Sequence, residues 1–99
     1  MKSLIVLSIA ALAALPAAAN QELAQKKACM GCHTLQTKLV GPAFKDVAAK
    51  YAKDKDAVKK LTDKVIKGGK GTWGEMAMPP NNVTPAEAET LVKWVLTVK

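Results

Sequence analysis

Cys29-Met30-Gly31-Cys32-His33 contains both cysteines and the one histidine of the chain. Two thiols three positions apart, followed at once by an imidazole, form the C-x-x-C-H pattern of c-type haem attachment. Each thiol can add across one vinyl group of a single haem, and the histidine then lies under the iron as an axial ligand. One helical turn brings both sulfurs and the ring to the same side of a flat macrocycle. The plainer alternatives are a redox dithiol or disulfide and a zinc site. Zinc needs four ligands, and the chain offers no further Cys or His. A thioredoxin-like dithiol wants a preceding strand and a βαβ pattern, and neither is visible. Cys29, Cys32 and His33 are therefore read as haem-binding.

An iron held by His33 has one more axial position. Methionine, lysine or an open site could complete it. Met30 sits inside the attachment turn, on the same side as His33. That leaves Met76 and Met78. Met78 precedes Pro79-Pro80, whose fixed φ angles would hold a thioether in one place. Met76 has flexible neighbours and reads as packing or solvent-facing, so Met78 is preferred. A thioether opposite an imidazole favours Fe(II), raises the reduction potential and closes the site to O₂ or peroxide. That favours an electron carrier over an oxygen-activating enzyme or a gas sensor. Three further residues would support the ligands. A carbonyl in the stiff Gly41-Pro42 loop is a sensible acceptor for the second ring N–H of His33. Trp73 has an indole N–H that needs a partner if buried, and a haem propionate would serve. Asn81 could turn the chain or donate its amide to the methionine sulfur.

The elements that must position these groups all read as helices. Gln21 to Met30 has helical spacing at Leu23 and Ala24, with Glu22 four residues before Lys26. Thr34 to Val40 reads as a loop. Ala43 to Tyr51 forms a short helix with Phe44, Val47, Ala48 and Tyr51 on one stripe. Asp56 caps a helix over 57–67, with Val58, Leu61, Val65 and Ile66 inside. Lys59, Lys60, Asp63, Lys64 and Lys67 form its solvated face, with Asp56/Lys60 and Asp63/Lys67 at ion-pair spacing. Gly68-Gly69 ends it as a left-handed cap. Residues 70–83, rich in Gly, Pro and Asn, form an ordered loop. Thr84-Pro85-Ala86-Glu87 is a capping box with proline at the first helical position. The last helix runs to about Thr97, with Ala88, Leu91, Val92, Val95 and Leu96 inside and Trp94 at the edge. No strand is expected.

Length and charge bound the rest. Met1-Lys2-Ser3, the apolar run Leu4–Leu15, Pro16 and Ala17-Ala18-Ala19 read as a secretory signal peptide cleaved near Ala19. Residues 20–99 then form one domain, with no segment long enough to span a membrane. A chain of about 80 residues has a thin core, so the apoprotein is expected to be largely unfolded without its haem. All basic residues are lysine, and the 99-residue chain carries a formal charge of +7. That excess favours an acidic partner. The lack of arginine and the export signal both argue against nucleic acid.

Taken together, Cys29-Met30-Gly31-Cys32-His33, Val40-Gly41-Pro42-Ala43, Lys67-Gly68-Gly69, Trp73-Gly74, Met78-Pro79-Pro80-Asn81 and Leu91-Val92-Lys93-Trp94-Val95-Leu96 resemble the small class I cytochromes c of bacterial periplasms, carriers of denitrifying and hydrogen-oxidising bacteria. The resemblance implies an all-α cytochrome c fold of four to five helices around one covalent haem c, its first and last helices crossing. It places Cys29 and Cys32 at the thioethers, His33 and Met78 on the iron, the Pro42 carbonyl on His33, Trp73 on a propionate and Asn81 beside Met78. It also implies a monomeric, non-enzymatic periplasmic carrier. Such carriers take electrons from a bc1-type complex and pass them to nitrite reductases, terminal oxidases or peroxidases. A dedicated subunit of one larger complex is the other form such a chain could take. The second methionine in Glu75-Met76-Ala77 departs from the pattern.

Overall fold

The computed structural model describes residues 16–99, with side-chain surroundings from Asn20 onward. The expected leader lies largely outside these residues. Among the described residues there are four α-helices and no strand, as the periodicity requires. They are α1 (Pro16–Lys26), α2 (Phe44–Lys50), α3 (Ala57–Lys67) and α4 (Pro85–Val95).

α4 is the centre of the arrangement and packs against α1, α2 and α3. Its start follows the expectation in full. The Thr84 hydroxyl accepts from the Glu87 N–H at 3.1 Å, and the Glu87 carboxylate accepts from the Thr84 N–H at 2.9 Å. Two of the helix's otherwise unpaired N–H groups are thereby satisfied. The Thr84 N–H, and after it the nearby Lys27 ammonium, 3.5 Å from Glu87, hold the Glu87 carboxyl below the usual carboxylate range.

The core forms two apolar groups that meet on α4. Ala24, Phe44, Leu91 and Trp94 make one, with Leu23, Cys29 and Met30 against it. Val47, Leu61 and Val92 make the other, with Tyr51, Val58 and Val65 around them. Ala24, Ala43 and Ala88 are completely covered, because alanine leaves room for backbones to approach. Trp94 corrects the sequence reading. It is not at the edge of α4 but in the core, 6% exposed, with its ring edge-on to Phe44 at 5.5 Å. A broad indole covers apolar neighbours that a helical-wheel position does not foresee.

Three local features also differ from expectation. α1 starts earlier, at Pro16, a residue suited to a first helical position because it lacks an N–H. It ends at Lys26 rather than Met30. Ala28 adopts φ 63°, a left-handed conformation that costs an L-residue roughly 1–2 kcal/mol. The chain then tightens into a 3-10 turn over Cys29–Gly31. At α3, Asp56 holds the capping position without a side-chain cap bond. Asp54 takes over, accepting from the Asp56 N–H at 2.8 Å and pairing with Lys60 at 2.9 Å. Those contacts lower the Asp54 pKa, led by the Lys60 bond. Asp63 and Lys67 pair as expected, at 2.9 Å. Gly68 has the positive φ of a glycine cap, 79°, but an extended ψ of 179°, so it carries the chain straight out of α3.

Candidate cofactor site

The attachment turn is built from backbone bonds. Gly31 N–H reaches the Ala28 carbonyl, and the N–H groups of Cys32 and His33 both reach the Cys29 carbonyl at 3.2 and 3.0 Å. Both cysteines are free thiols, Cys29 half-buried and Cys32 exposed. Burial pushes the Cys29 thiol pKa up.

His33 is clamped from three sides. Its Nδ1 lies 2.8 Å from the Pro42 carbonyl. A carbonyl only accepts, so Nδ1 carries the proton and the Nε2 lone pair is left for a metal. Phe44, the first residue of α2, stacks on the imidazole with centroids 4.8 Å apart and planes 21° from parallel. Gly41 closes the third side. A Cβ there would stand 2.5 Å from His33 Cε1 and 2.8 Å from Nδ1. Only glycine lets the chain pass over the ring. Gly41 N–H also returns to the Cys32 carbonyl at 2.7 Å.

The loop over 68–81 brings the Met78 thioether to the same cleft as His33. Met78 exchanges two backbone bonds with Gly69, at 3.0 and 2.8 Å, in an isolated antiparallel bridge. A Cβ on Gly68 would stand 2.5 Å from the Met78 carbonyl. The Asn81 side chain donates to the carbonyls of Val65 at 2.9 Å and Pro79 at 3.2 Å. This corrects the expectation that it donates to the methionine sulfur. Carbonyls are stronger acceptors than a thioether, and both lie within reach. Asn81 ties the loop to α3 and holds Met78 through the backbone.

His33, Cys32 and Met78 line one cleft of about 300 Å³, within the size range of small-molecule and cofactor sites. Val40, Pro42, Val47, Leu61, Val65 and Val92 give it an apolar lining. A smaller hollow beside it joins Cys29 to His33 and Met78. Trp73 lines the cleft and is 41% exposed, so it is not core packing; the Lys50 ammonium sits 5.5 Å from its ring centroid. Lys64, expected on the solvated face of α3, is half-buried, lines the cleft and bonds the Thr72 hydroxyl. No cluster of three or more His, Cys, Asp or Glu that could hold a metal occurs among the described residues. An apolar slot with two unpaired thiols, an imidazole with a free Nε2 and a thioether suits a flat apolar macrocycle holding an iron.

The family profile described as Cytochrome c matches residues 17–99. The chain belongs to the cytochrome c family. Cytochrome c-552 of Hydrogenobacter thermophilus is 50% identical over 99 residues, all of both chains. Cytochrome c-551 of Pseudomonas denitrificans is 51% identical over 80 residues, 81% of this chain and 98% of that one. The crystal structure of wild-type cytochrome c552 from Nitrosomonas europaea superposes with a TM-score of 0.77 at 50% identity. It covers 80% of this chain and 99% of its own. The fold is thus the all-α cytochrome c fold, and the chain carries one covalently bound haem c. Like these cytochromes it is an electron carrier with redox partners, not an enzyme. No described helix is long and apolar enough to cross a membrane.

Sequence reasoning missed the close approach of Gly41 to His33 and of Gly68 to Met78, and the stacking role of Phe44. Phe44 was expected inside, but nothing in helical periodicity says which ring it meets. Glycine beside Pro42 gives a weak hint of close approach, yet the obstructing atom comes from eight residues away.

Proposed function

We infer that this cytochrome c is a periplasmic one-electron carrier in which His33 and Met78 would ligate the haem iron. The observation that carries this reading is the shared cleft, lined by an imidazole with a free Nε2 and by a backbone-pinned thioether. The haem supplies a one-electron iron couple when bound. Cys29 and Cys32 would fix it to the chain through two thioethers. His33 would donate Nε2, with its ring held in place by Pro42, Phe44 and Gly41. Met78 would supply the soft ligand that favours the reduced state. The side-chain contacts on His33 and the backbone bonds on Met78 would keep rearrangement small as one electron passes. Trp73, at the mouth of the cleft, is the residue we assign to a propionate.

The rim carries positive charge. Lys38, Lys64 and Lys70 line the cleft and take part in none of the ion pairs among the described residues. Acidic redox partners fit this rim, namely a bc1-type donor and a nitrite reductase, oxidase or peroxidase acceptor. Association through such charges slows as salt rises. The leader-like residues 1–19 and the attachment motif support export.

The test is optical. The oxidised holoprotein should show a low-spin c-type spectrum with the weak far-red band of thioether-ligated ferric haem. CO should leave the reduced spectrum unmoved. Met78→Ala should abolish or displace that band and lower the reduction potential. A wild-type spectrum that shifts readily with CO, or a band abolished by Met76→Ala instead, would overturn the ligand assignment.

A further inference from the structure

Among the described residues Met76 is the most exposed of the large apolar side chains, at 72%. It nevertheless lines the same cleft as His33 and Met78. Residues two apart on an extended chain share a face and stand roughly 7 Å apart along it. Both side chains end in the same soft donor. Their backbones differ sharply. Met78 is pinned by two bonds to Gly69, whereas Met76 makes none of the loop's backbone bonds. The turn ahead of it, closed by Gly71 N–H on the Gly74 carbonyl at 2.9 Å, contains glycines at φ 93° and 119°. A Cβ at either glycine would meet nothing within 4 Å, so the turn has open space around it. Residues 75–77 are therefore strung between a fixed bridge and an uncrowded glycine turn.

We propose that Met76 is a reserve axial ligand for the haem iron. When Met78 cannot coordinate, the 75–77 segment pivots at Gly74 and the Met76 thioether takes its place. The inference rests on Met78 being the resident ligand. Methionine has an unbranched side chain that adapts to irregular space. A donor tethered two residues away acts at a high effective concentration. Lys64 and Lys70 also line the cleft, but an ammonium must lose a proton before it can coordinate, and a thioether need not. Near neutral pH the reserve position therefore falls to Met76.

The experiment compares full-chain holoproteins carrying Met78→Ala, Met76→Ala and both changes. The readouts are the far-red band of the oxidised form and its titration with imidazole. Met78→Ala should keep a displaced far-red band, and the double variant should have none. Imidazole should bind Met78→Ala at least about tenfold more weakly than the double variant, because the tethered thioether competes. Met78→Leu, which keeps the side-chain volume, repeats the comparison should the alanine variant lose its loop structure. Identical, band-free spectra and equal imidazole affinities for single and double variants would overturn the proposal. So would a Met78→Ala protein that resists imidazole only at alkaline pH, the mark of lysine. A band lost in Met76→Ala but undisplaced in Met78→Ala would instead overturn the reading of Met78 itself.

Discussion

Two segments bring donors to the cleft, and they hold them differently. The attachment segment, residues 28–44, fixes His33 by its own side chain. A carbonyl at 2.8 Å, a stacked phenyl ring and a glycine in van der Waals contact leave the imidazole one orientation. The returning loop, residues 68–81, fixes Met78 through the backbone. The Gly69 bridge and the Asn81 bonds set where the residue is, not where its sulfur points. The lesson is that a ring nitrogen needs directional support. A flexible thioether needs only an anchored Cα, and that leaves room for a second methionine nearby.

The largest test of this contrast removes the attachment itself. Cys29→Ala/Cys32→Ala should leave a chain without cooperative thermal unfolding, because a domain this small cannot close a core alone. A melt matching that of the holoprotein would show that the helices suffice. Next comes Gly41→Ala. A methyl group 2.5 Å from His33 Cε1 must displace the ring and strain its Pro42 bond. Crowding of this kind costs about 1–3 kcal/mol, plus about 1 kcal/mol for the weakened hydrogen bond. Denaturant unfolding of the holoprotein should read both, with a changed reduction potential.

Gly68→Ala should do less to the iron and a comparable amount to the loop. Its φ of 79° and the approach to the Met78 carbonyl place it where L-residues are strained, by about 1–3 kcal/mol. The far-red band should shift while the signals of the His33 ring in NMR stay put. If Gly68→Ala moved the imidazole and Gly41→Ala did not, the contrast between side-chain and backbone support would be wrong.

The smallest effect falls on Glu87, which joins the entrance of the attachment segment to α4 through Lys27. Its carboxyl pKa is depressed by the Thr84 N–H first and by Lys27 after it. A depressed carboxyl stabilises the fold above its unfolded pKa, and the contribution is lost as pH falls through the folded value. Acid unfolding of Glu87→Gln should lack that component. Thr84→Ala should lose about 0.5–2 kcal/mol, as helix caps do. A wild-type and Glu87→Gln pair with parallel stability curves from neutral pH into acid would rule out the linkage.

Much of this molecule is local in the chain. Cys29-Met30-Gly31-Cys32-His33 names the cofactor because its chemistry needs only neighbours in sequence. α3 and the capping box of α4 follow from periodicity and from hydrogen bonds that span four residues at most. Tertiary structure alone decided the rest. It buried Trp94 and stacked Phe44 on His33, and it made Gly41 and Gly68 indispensable. It turned the Asn81 amide to the Val65 carbonyl and drew Lys64 into the cleft. Each of these depends on an atom supplied by another element. The sequence carries no local signal for such an encounter, because steric contact and hydrogen-bond competition exist only once the helices have packed.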